Sequence, residues 1–166
     1  MLPSNFRMSF LLPFFQWCHN TSLGVAIRES KVLFPVIEAF HLFALTLLFG
    51  SILVLNLRLF AVVMQRQPVP KVARNIAPYM LGSLAVMFIS GILLFLSEAL
   101  KCYGSIPFRI KMVLLFTAIV FHFTIYRKVT GADEGQVKPV WCTMAATISL
   151  TLWFGVGIAG RAIAFF

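Results

Sequence analysis

Glu38 and His41 are two ionisable residues inside an otherwise apolar stretch of the sequence. Their i, i+3 spacing places both side chains on one face of a helix. A carboxylate or an imidazole inside a membrane is costly unless it finds a partner, so the pair marks a candidate site facing the interior of a helical bundle. The chemistry open to this pair is ion pairing with a cation or metal ligation by the imidazole.

Cations are expected on the same side of the membrane as this pair. Three of them stand near the ends of apolar windows on the side where the chain termini lie: Arg109, Lys111 and Arg161. At about 1.5 Å per helical residue, Glu38 lies about 10 Å and His41 about 15 Å from Lys31 on that side. One interpretation is a buried ion pair between Glu38 and Arg161, with His41 hydrogen-bonded nearby.

A haem site is the second interpretation, because His41 and His122 are the two histidines inside predicted membrane spans. Neutral imidazoles from two helices of a bundle can hold haem iron axially, while Arg and Lys at the membrane edge neutralise the haem propionates. In this interpretation four charged side chains complete the haem b site of the two histidines: Glu38, Arg109, Lys111 and Arg161.

Depth estimates for the two histidines disagree. Counted from Lys111, His122 lies about 17 Å deep, which is close to the depth of His41. Counted from the opposite side, His122 is about 8 Å from Arg127, whereas His41 is about 26 Å from Arg58. The spacing therefore permits a bis-histidine site without requiring one.

Other metal centres and a disulfide framework have less support. A Glu-x-x-His pair also occurs in di-iron bundles, but these need carboxylates from four helices, and Glu98 is the one further acid near a span end. Copper favours Met and Cys ligands, yet the seven Met are scattered without a paired motif. The three Cys form no CxxC motif and allow at most one disulfide. Whether Cys18 and Cys102 pair stays open.

The composition of the chain requires a membrane to position these residues. The 166 residues are 60% hydrophobic and 11% charged, with a mean hydropathy of +0.94, 18 Phe and five acidic side chains. Too few polar groups remain to cover a water-soluble globule, so lipid must cover the surface. The net charge of +9 comes from Lys and Arg that flank apolar windows and act as membrane anchors. A soluble monomer and a nucleic-acid partner are both excluded.

Four windows are long enough to cross a bilayer as helices, since about 20 apolar residues span the hydrocarbon. We place them at about residues 32–64, 75–98, 108–127 and 139–162. Pro68 and Pro70 end the first window, and Pro78 sits in the first turn of the second. The predicted fold class is all-α, with a four-helix transmembrane bundle over residues 31–166.

Residues 1–30 form a separate segment before these spans. The apolar run at residues 9–17 is too short to cross and is interrupted by Pro13, which favours a helical segment in the membrane interface. A cleaved signal peptide is the alternative, but no clear small-x-small cleavage site follows the run. Thr21 or Ser22 can cap a short helix that leads into the first span.

The orientation of the bundle depends on the Lys and Arg near the span ends, because cytoplasmic loops are richer in them. The side of the termini carries seven: Arg7, Arg28, Lys31, Lys101, Arg109, Lys111 and Arg161. The opposite side also carries seven: Arg58, Arg66, Lys71, Arg74, Arg127, Lys128 and Lys138. All of the second set except Arg58 lies in two compact loops. We therefore expect that side to be cytoplasmic and the termini to lie outside.

Five segments of the chain resemble an uncharacterised family of small bacterial four-helix inner-membrane proteins, and the resemblance covers nearly the whole length. The segments are residues 27–30 (IRES), 33–41 (LFPVIEAFH), 56–59 (NLRL), 108–112 (FRIKM) and 152–161 (LW to AGR). Their motif positions fall close to the set reached above: Glu38, His41, Arg58, Arg109, Lys111 and Arg161. The resemblance implies a bacterial inner membrane, and in that membrane the charge distribution above would put the termini in the periplasm.

Two functions follow from these observations. The plan is distantly similar to four-helix membrane cytochrome b and copper-resistance D-type proteins, which implies a haem-b-binding electron-transfer subunit with a redox partner, although those proteins commonly carry more histidines. The alternative is a non-catalytic accessory or assembly subunit of a larger membrane complex. Either would sit in lipid beside another membrane protein or a second copy, and neither is a stand-alone enzyme. A small transporter has little support, since no inverted repeat or broken span is evident.

Overall fold

The computed structural model describes residues 11–132 and 138–163, and these residues form helices without any β-strand. The helices are α1 (Leu12–His19), α2 (Ser22–Glu29), α3 (Leu33–Leu59), α4 (Val69–Ser97), α5 (Ala99–Gly104), α6 (Ile106–Gly131) and α7 (Pro139–Ala162). Four of them, α3, α4, α6 and α7, are long and apolar enough to cross a membrane. The predicted all-α fold with four membrane-spanning helices is confirmed. Residues 1–10 of the predicted interfacial segment, with Arg7, lie outside the described residues.

The turn between α3 and α4 lies earlier in the sequence than predicted. Helix α3 ends at Leu59, short of the predicted end at residue 64, and Ala61 then takes a positive φ of 56°, which an α-helix does not contain. Helix α4 begins at Val69 with Pro70 in its first turn, where a residue without an N–H is tolerated. The prolines therefore begin the second span, and Pro78 lies inside α4 instead of in its first turn.

Helices α1 and α2 pack against the ends of α4 and α5 on the terminal side of the bundle. Thr21 caps α2: its hydroxyl accepts a hydrogen bond from the N–H of Gly24 at 3.3 Å and donates one to the carbonyl of Cys18 at 2.8 Å. A Cβ on Gly24 would lie 2.7 Å from the carbonyl oxygen of Leu96. The absence of a side chain is what allows α2 to approach α4 this closely.

The three cysteines are all free thiols. Cys18 lies buried in α1 and Cys102 lies buried in α5, while Cys142 of α7 is partly buried. The pairing of Cys18 with Cys102 that the sequence left open is therefore not formed. Burial raises the pKa of the Cys18 thiol above its ordinary value.

Side-chain packing holds α3 against α4 and α6 against α7, with α3 also contacting α7. We call the side of the α3–α4 and α6–α7 connections the loop side, and the opposite side the terminal side. One buried apolar cluster lies in the middle: Leu48, Ile52, Met80, Ala118 and Trp153. A second lies towards the loop side: Leu55, Leu59, Val72, Tyr126, Ala145 and Ala146. Many large apolar side chains point outward, as lipid contact requires.

A buried polar network ties α3, α6 and α7 together in the loop-side half. The Tyr126 hydroxyl donates a hydrogen bond to Asn56 Oδ1 at 3.0 Å. The Asn56 amide donates to the carbonyl of Ile52 at 2.9 Å and to Ser149 Oγ at 3.4 Å. Asn56 is 0% exposed, so these bonds satisfy a polar side chain that has no access to water. The spacing of these residues in the sequence gives no indication of this network.

Helix α6 contains one π-helical turn, His122–Tyr126, within its membrane span. The N–H of Arg127 bonds the carbonyl of His122, five residues earlier, instead of the carbonyl four residues earlier. Single π turns of this kind are rare and frequently occur at functional sites. The turn follows Phe121 and leaves both His122 and Tyr126 buried.

Candidate functional site

A cavity of about 320 Å³ lies in the terminal half of the bundle, and we call it the terminal-side cavity. Its lining includes Glu38 and His41 of α3, Lys111 of α6 and Arg161 of α7. The structure therefore brings together four of the six predicted site residues. The i, i+3 spacing of Glu38 and His41 is what lets one face of α3 present both to the same cavity.

His41 is held in one orientation by a serine of α4. His41 Nδ1 lies 2.8 Å from Ser90 Oγ, and Ser90 Oγ lies 2.6 Å from the carbonyl oxygen of Val86. A carbonyl oxygen has no proton to give, so the single hydroxyl proton of Ser90 points to Val86. His41 Nδ1 must then carry the proton that it donates to Ser90. Nε2 of a neutral His41 is consequently unprotonated and has a lone pair available.

A glycine lies against His41, and two aromatic rings line the same cavity. A Cβ on Gly91 would lie 3.4 Å from His41 Cε1, so the imidazole rests directly over the backbone of α4. Phe95 of α4 and Phe108 of α6 stack with their ring centroids 5.6 Å apart and also line the cavity. The backbone of α4 at Gly91 therefore covers one edge of the imidazole, and the two rings give the cavity an apolar part.

The lining of the terminal-side cavity is charged, with a small excess of positive charge. Three cations contribute: Lys101, Lys111 and Arg161. Two carboxylates contribute: Glu38 and Glu98. With His41 neutral, three positive and two negative charges leave a formal charge of +1. The Lys111 side chain runs along α7, where its Nζ would lie 3.6 Å from a Cβ on Gly160. The arrangement suits a ligand that combines an apolar body with one or more anionic groups.

The ion pair predicted between Glu38 and Arg161 is not formed among the described residues, although both side chains line the same cavity. Glu38 belongs to the exposed class, and an accessible carboxylate can remain hydrated. Arg161 has interactions of its own. Glu38 therefore contributes a charged group to the cavity lining and is not one partner of a buried ion pair.

Arg109 lies outside the terminal-side cavity, contrary to the prediction that it joins this site. Its Nη2 donates a hydrogen bond to the carbonyl of Tyr103 at 3.2 Å, next to the α5–α6 connection. Two residues along a helix correspond to a rotation of about 200°, so Arg109 and Lys111 cannot face the same interior space. Arg58, another motif position, lies on the loop side, where its Nε donates to the carbonyl of Gln67 at 2.8 Å.

His122 lines a different cavity from His41. His41 lies beside Ser90 of α4. His122 lines its cavities together with Met80, which precedes Ser90 by ten residues on α4. Ten residues correspond to about 15 Å along the axis, so the two imidazoles do not meet at one metal atom in this structure. The depth counted from Lys111 placed His122 too near the centre because Lys111 itself lies one turn or more inside α6, which begins at Ile106.

Sequence reasoning missed three contributors to the terminal-side cavity: Ser90, Lys101 and Cys102. Lys101 and Cys102 reach it because α5 is a separate short helix that turns back over the cavity, and nothing in the hydropathy pattern indicates this turn. Burial raises the pKa of the Cys102 thiol to about 11, and the nearby Lys111 ammonium partly opposes that rise. His41 and Ser90 are 49 residues apart in the sequence, and their contact becomes visible only when α3 and α4 are packed together.

Metal ligation in this cavity rests on the single imidazole of His41. Within residues 11–132 and 138–163, no group of three or more His, Cys, Asp or Glu side chains is arranged to hold a metal ion. A metal bound here would therefore need most of its ligands from a cofactor.

The fold and the cavity define a class: a four-helix membrane protein with a charged, histidine-containing cavity in one half of its bundle. A family model matches residues 14–166, and the chain belongs to that family, a family of unknown function (DUF6644). This agrees with the resemblance to an uncharacterised family. No curated protein and no solved structure matches the chain.

Proposed function

We propose that this chain is a membrane subunit that binds haem b in the terminal-side cavity and takes part in electron transfer. The observation that carries the proposal is the orientation of His41. Its Nδ1 is held by Ser90, which leaves the Nε2 lone pair for a metal. Histidines that bind metals almost always donate their other N–H to a fixed acceptor in this way.

Two features of the lining support a haem held by one protein side chain. His41 supplies that ligand, and the stacked rings of Phe95 and Phe108 supply an apolar wall. His122 does not line this cavity, so His41 is the imidazole among the described residues that would hold the haem here. When bound, haem supplies one-electron redox chemistry with a potential set by its ligand and surroundings.

Each residue of the cavity has a defined task in this proposal. Ser90 fixes the tautomer and the plane of the His41 ring. Lys111 and Arg161 neutralise the propionate carboxylates, and Lys101 adds a third positive charge. Glu38 and Glu98 limit the excess of positive charge, which would otherwise raise the reduction potential.

The test is absorbance of the chain expressed with haem available and purified in mild detergent, scored per mole of protein. A Soret band is expected in the wild type, and His41→Ala should abolish it. His122→Ala is the matched control, because it removes the other intramembrane imidazole and leaves the terminal-side cavity intact. It should retain the band.

Two results would contradict the proposal. One is a wild type without a Soret band after purification with haem present. The other is loss of the band in His122→Ala with retention in His41→Ala. If the band is absent and the chain co-purifies with fixed membrane partners, the accessory or assembly subunit becomes the better account.

We also propose that the protein lies in a bacterial inner membrane with both termini in the periplasm, and that it is distantly related to membrane cytochrome b or copper-resistance D-type proteins. The orientation is supported by the Lys and Arg at the loop-side ends of α4 and α6 and in the connections beside them, because cytoplasmic sides are richer in such residues. The shared features are a four-helix plan and an intramembrane histidine. Reporter fusions at the C-terminus and in the 133–137 loop test the orientation, and a C-terminal reporter active only in the cytoplasm would reverse it.

A further inference from the structure

A second cavity of about 320 Å³ lies in the loop-side half, between α4 and α6, and we call it the loop-side cavity. Its walls are apolar where Leu55, Met80 and Phe123 line them. Its polar side chains come from two helices, with Arg74 on α4 and both His122 and Arg127 on α6. The haem proposal makes no use of this cavity.

His122 carries a buried nitrogen without a hydrogen-bond partner. Its side chain is only 5% exposed, and Nδ1 has no partner among the described residues. Beside it lies a void of about 10 Å³, lined otherwise by apolar side chains such as Leu48 and Trp153. That void has room for one water at most, and a water there would find no second polar partner. A buried nitrogen without a partner is rare in folded proteins, so His122 has hydrogen-bonding capacity that the described residues do not use.

The π turn of α6 creates the polar side of this cavity. In a regular α-helix, His122 and Arg127 would lie about 140° apart around the axis. The i→i+5 bond from Arg127 to His122 widens the turn and brings both onto the wall of one cavity. A departure from α-geometry inside a membrane helix thus serves to place a cation next to the unpaired imidazole.

The charge around the loop-side cavity is positive within the part of the chain that the structure describes. Arg74 and Arg127 are exposed and stand on opposite helices at the cavity. The described carboxylates belong to the terminal side: Glu29, Glu38 and Glu98. Asp133 and Glu134, between α6 and α7, lie outside the described residues. Two guanidinium groups facing one space are suited to a phosphate, which each can bind through two hydrogen bonds.

We propose that the loop-side cavity binds an anionic phospholipid. Arg74 and Arg127 hold the headgroup phosphate, His122 hydrogen-bonds the glycerol or ester region, and an acyl chain lies along Leu81 and Phe123. A lipid fits better than a soluble phosphate because the cavity continues from two exposed arginines into an apolar groove between spans. Basic pockets between membrane helices are known to recognise anionic lipid headgroups.

The experiment measures thermal unfolding of the full chain in mild detergent with added dioleoyl phosphatidylglycerol, dioleoyl phosphatidylcholine or inorganic phosphate. Phosphatidylglycerol should raise the melting temperature more than phosphatidylcholine, and phosphate alone should have little effect. Arg74→Gln with Arg127→Gln should weaken the apparent affinity for phosphatidylglycerol at least about tenfold, because charge-assisted bonds are lost at two positions. Both arginines are exposed, so this change leaves the core intact.

Lys71→Gln with Lys128→Gln is the matched control. It removes two exposed charges on the same side that do not line the cavity, and it should retain the affinity within about twofold. His122→Phe keeps a ring in place and removes the nitrogens, and it should lower the preference for phosphatidylglycerol. Equal loss in both double variants would overturn the proposal, since any surface charge would then suffice. An equal melting shift with inorganic phosphate would overturn it in favour of a free anion.

Discussion

Ser90→Ala tests the orientation of His41 without requiring any cofactor. The substitution removes the acceptor that lies 2.8 Å from His41 Nδ1. Hydrogen bonds between membrane helices contribute about 0.6 kcal/mol on average and up to about 1.7 kcal/mol. The lost bond also leaves a half-buried N–H without its acceptor, which puts the expected effect above that average. We expect Ser90→Ala to lower the free energy of unfolding of the bundle by about 1 kcal/mol more than a control serine substitution on the same helix does.

The control is Ser83→Ala on the same helix. Ser83 is buried, and its hydroxyl donates to the carbonyl of Met80, within α4 itself. Removing it deletes a buried hydroxyl and an intrahelical bond but no contact with His41. Ser90→Thr is the rescue variant, because it keeps an oxygen at the same position on the helix.

Two assays follow the effect. Unfolding in a titration of denaturing detergent gives the difference in free energy between Ser90→Ala and Ser83→Ala. Nitrogen-15 NMR of histidine-labelled protein reports which ring nitrogen of His41 carries the proton. The wild type should show protonated Nδ1, and a loss of about 1 kcal/mol in Ser90→Ala should change the tautomer ratio about fivefold. A wild type with protonated Nε2, or an unchanged ratio in Ser90→Ala, would refute the reasoning.

Three further predictions concern other parts of the bundle. Gly24→Ala should destabilise the protein by about 1–3 kcal/mol because its Cβ would press on the backbone of α4, whereas Gly82→Ala, with open space around it, should not lower the melting temperature. Tyr126→Phe should lower the free energy of unfolding by about 0.6–1.7 kcal/mol, because the hydrogen bond to Asn56 is lost. In a double-mutant cycle with Asn56→Ala, most of this loss should appear as coupling energy between the two residues, and additive effects of the two substitutions would argue against the network. With a pKa of about 11, the Cys102 thiol should be about one part in a thousand thiolate at pH 8, so its alkylation should accelerate with pH up to about 11. A Cys102 that labels at pH 8 as fast as an exposed thiol would contradict that environment.

The helices were predictable from sequence because their signals are local. Long charge-free windows indicate spans, and the Glu38 and His41 spacing indicates one helical face, so the cavity-lining role of this pair followed from periodicity alone. The same periodicity argued against Arg109 and Lys111 facing one space, since they are two residues apart. That rule was available from the sequence, and applying it would have removed Arg109 from the site.

Other features depend on relations that sequence spacing does not contain. The depth of His122 depended on where α6 begins, and Lys111 was a poor marker of the membrane edge because its side chain points into the bundle. The contact between His41 and Ser90 requires the relative shift of α3 and α4 to be known. The π turn of α6 has no recognisable signature in the residue types at positions 122–126, so its place becomes visible only in the folded helix.

That π turn also determines where this protein can change its length. A π turn holds about one residue more than an α turn, so losing one residue between His122 and Tyr126 would let the helix close as a regular α-helix. Tyr126 and all that follows would keep their direction and move only about 1.5 Å along the axis. Deletion of a residue earlier in α6, between Ile106 and Phe121, would turn everything after it by about 100° and separate Tyr126 from Asn56. Single-residue gaps among related chains are therefore expected at this turn and not in the remainder of the helix.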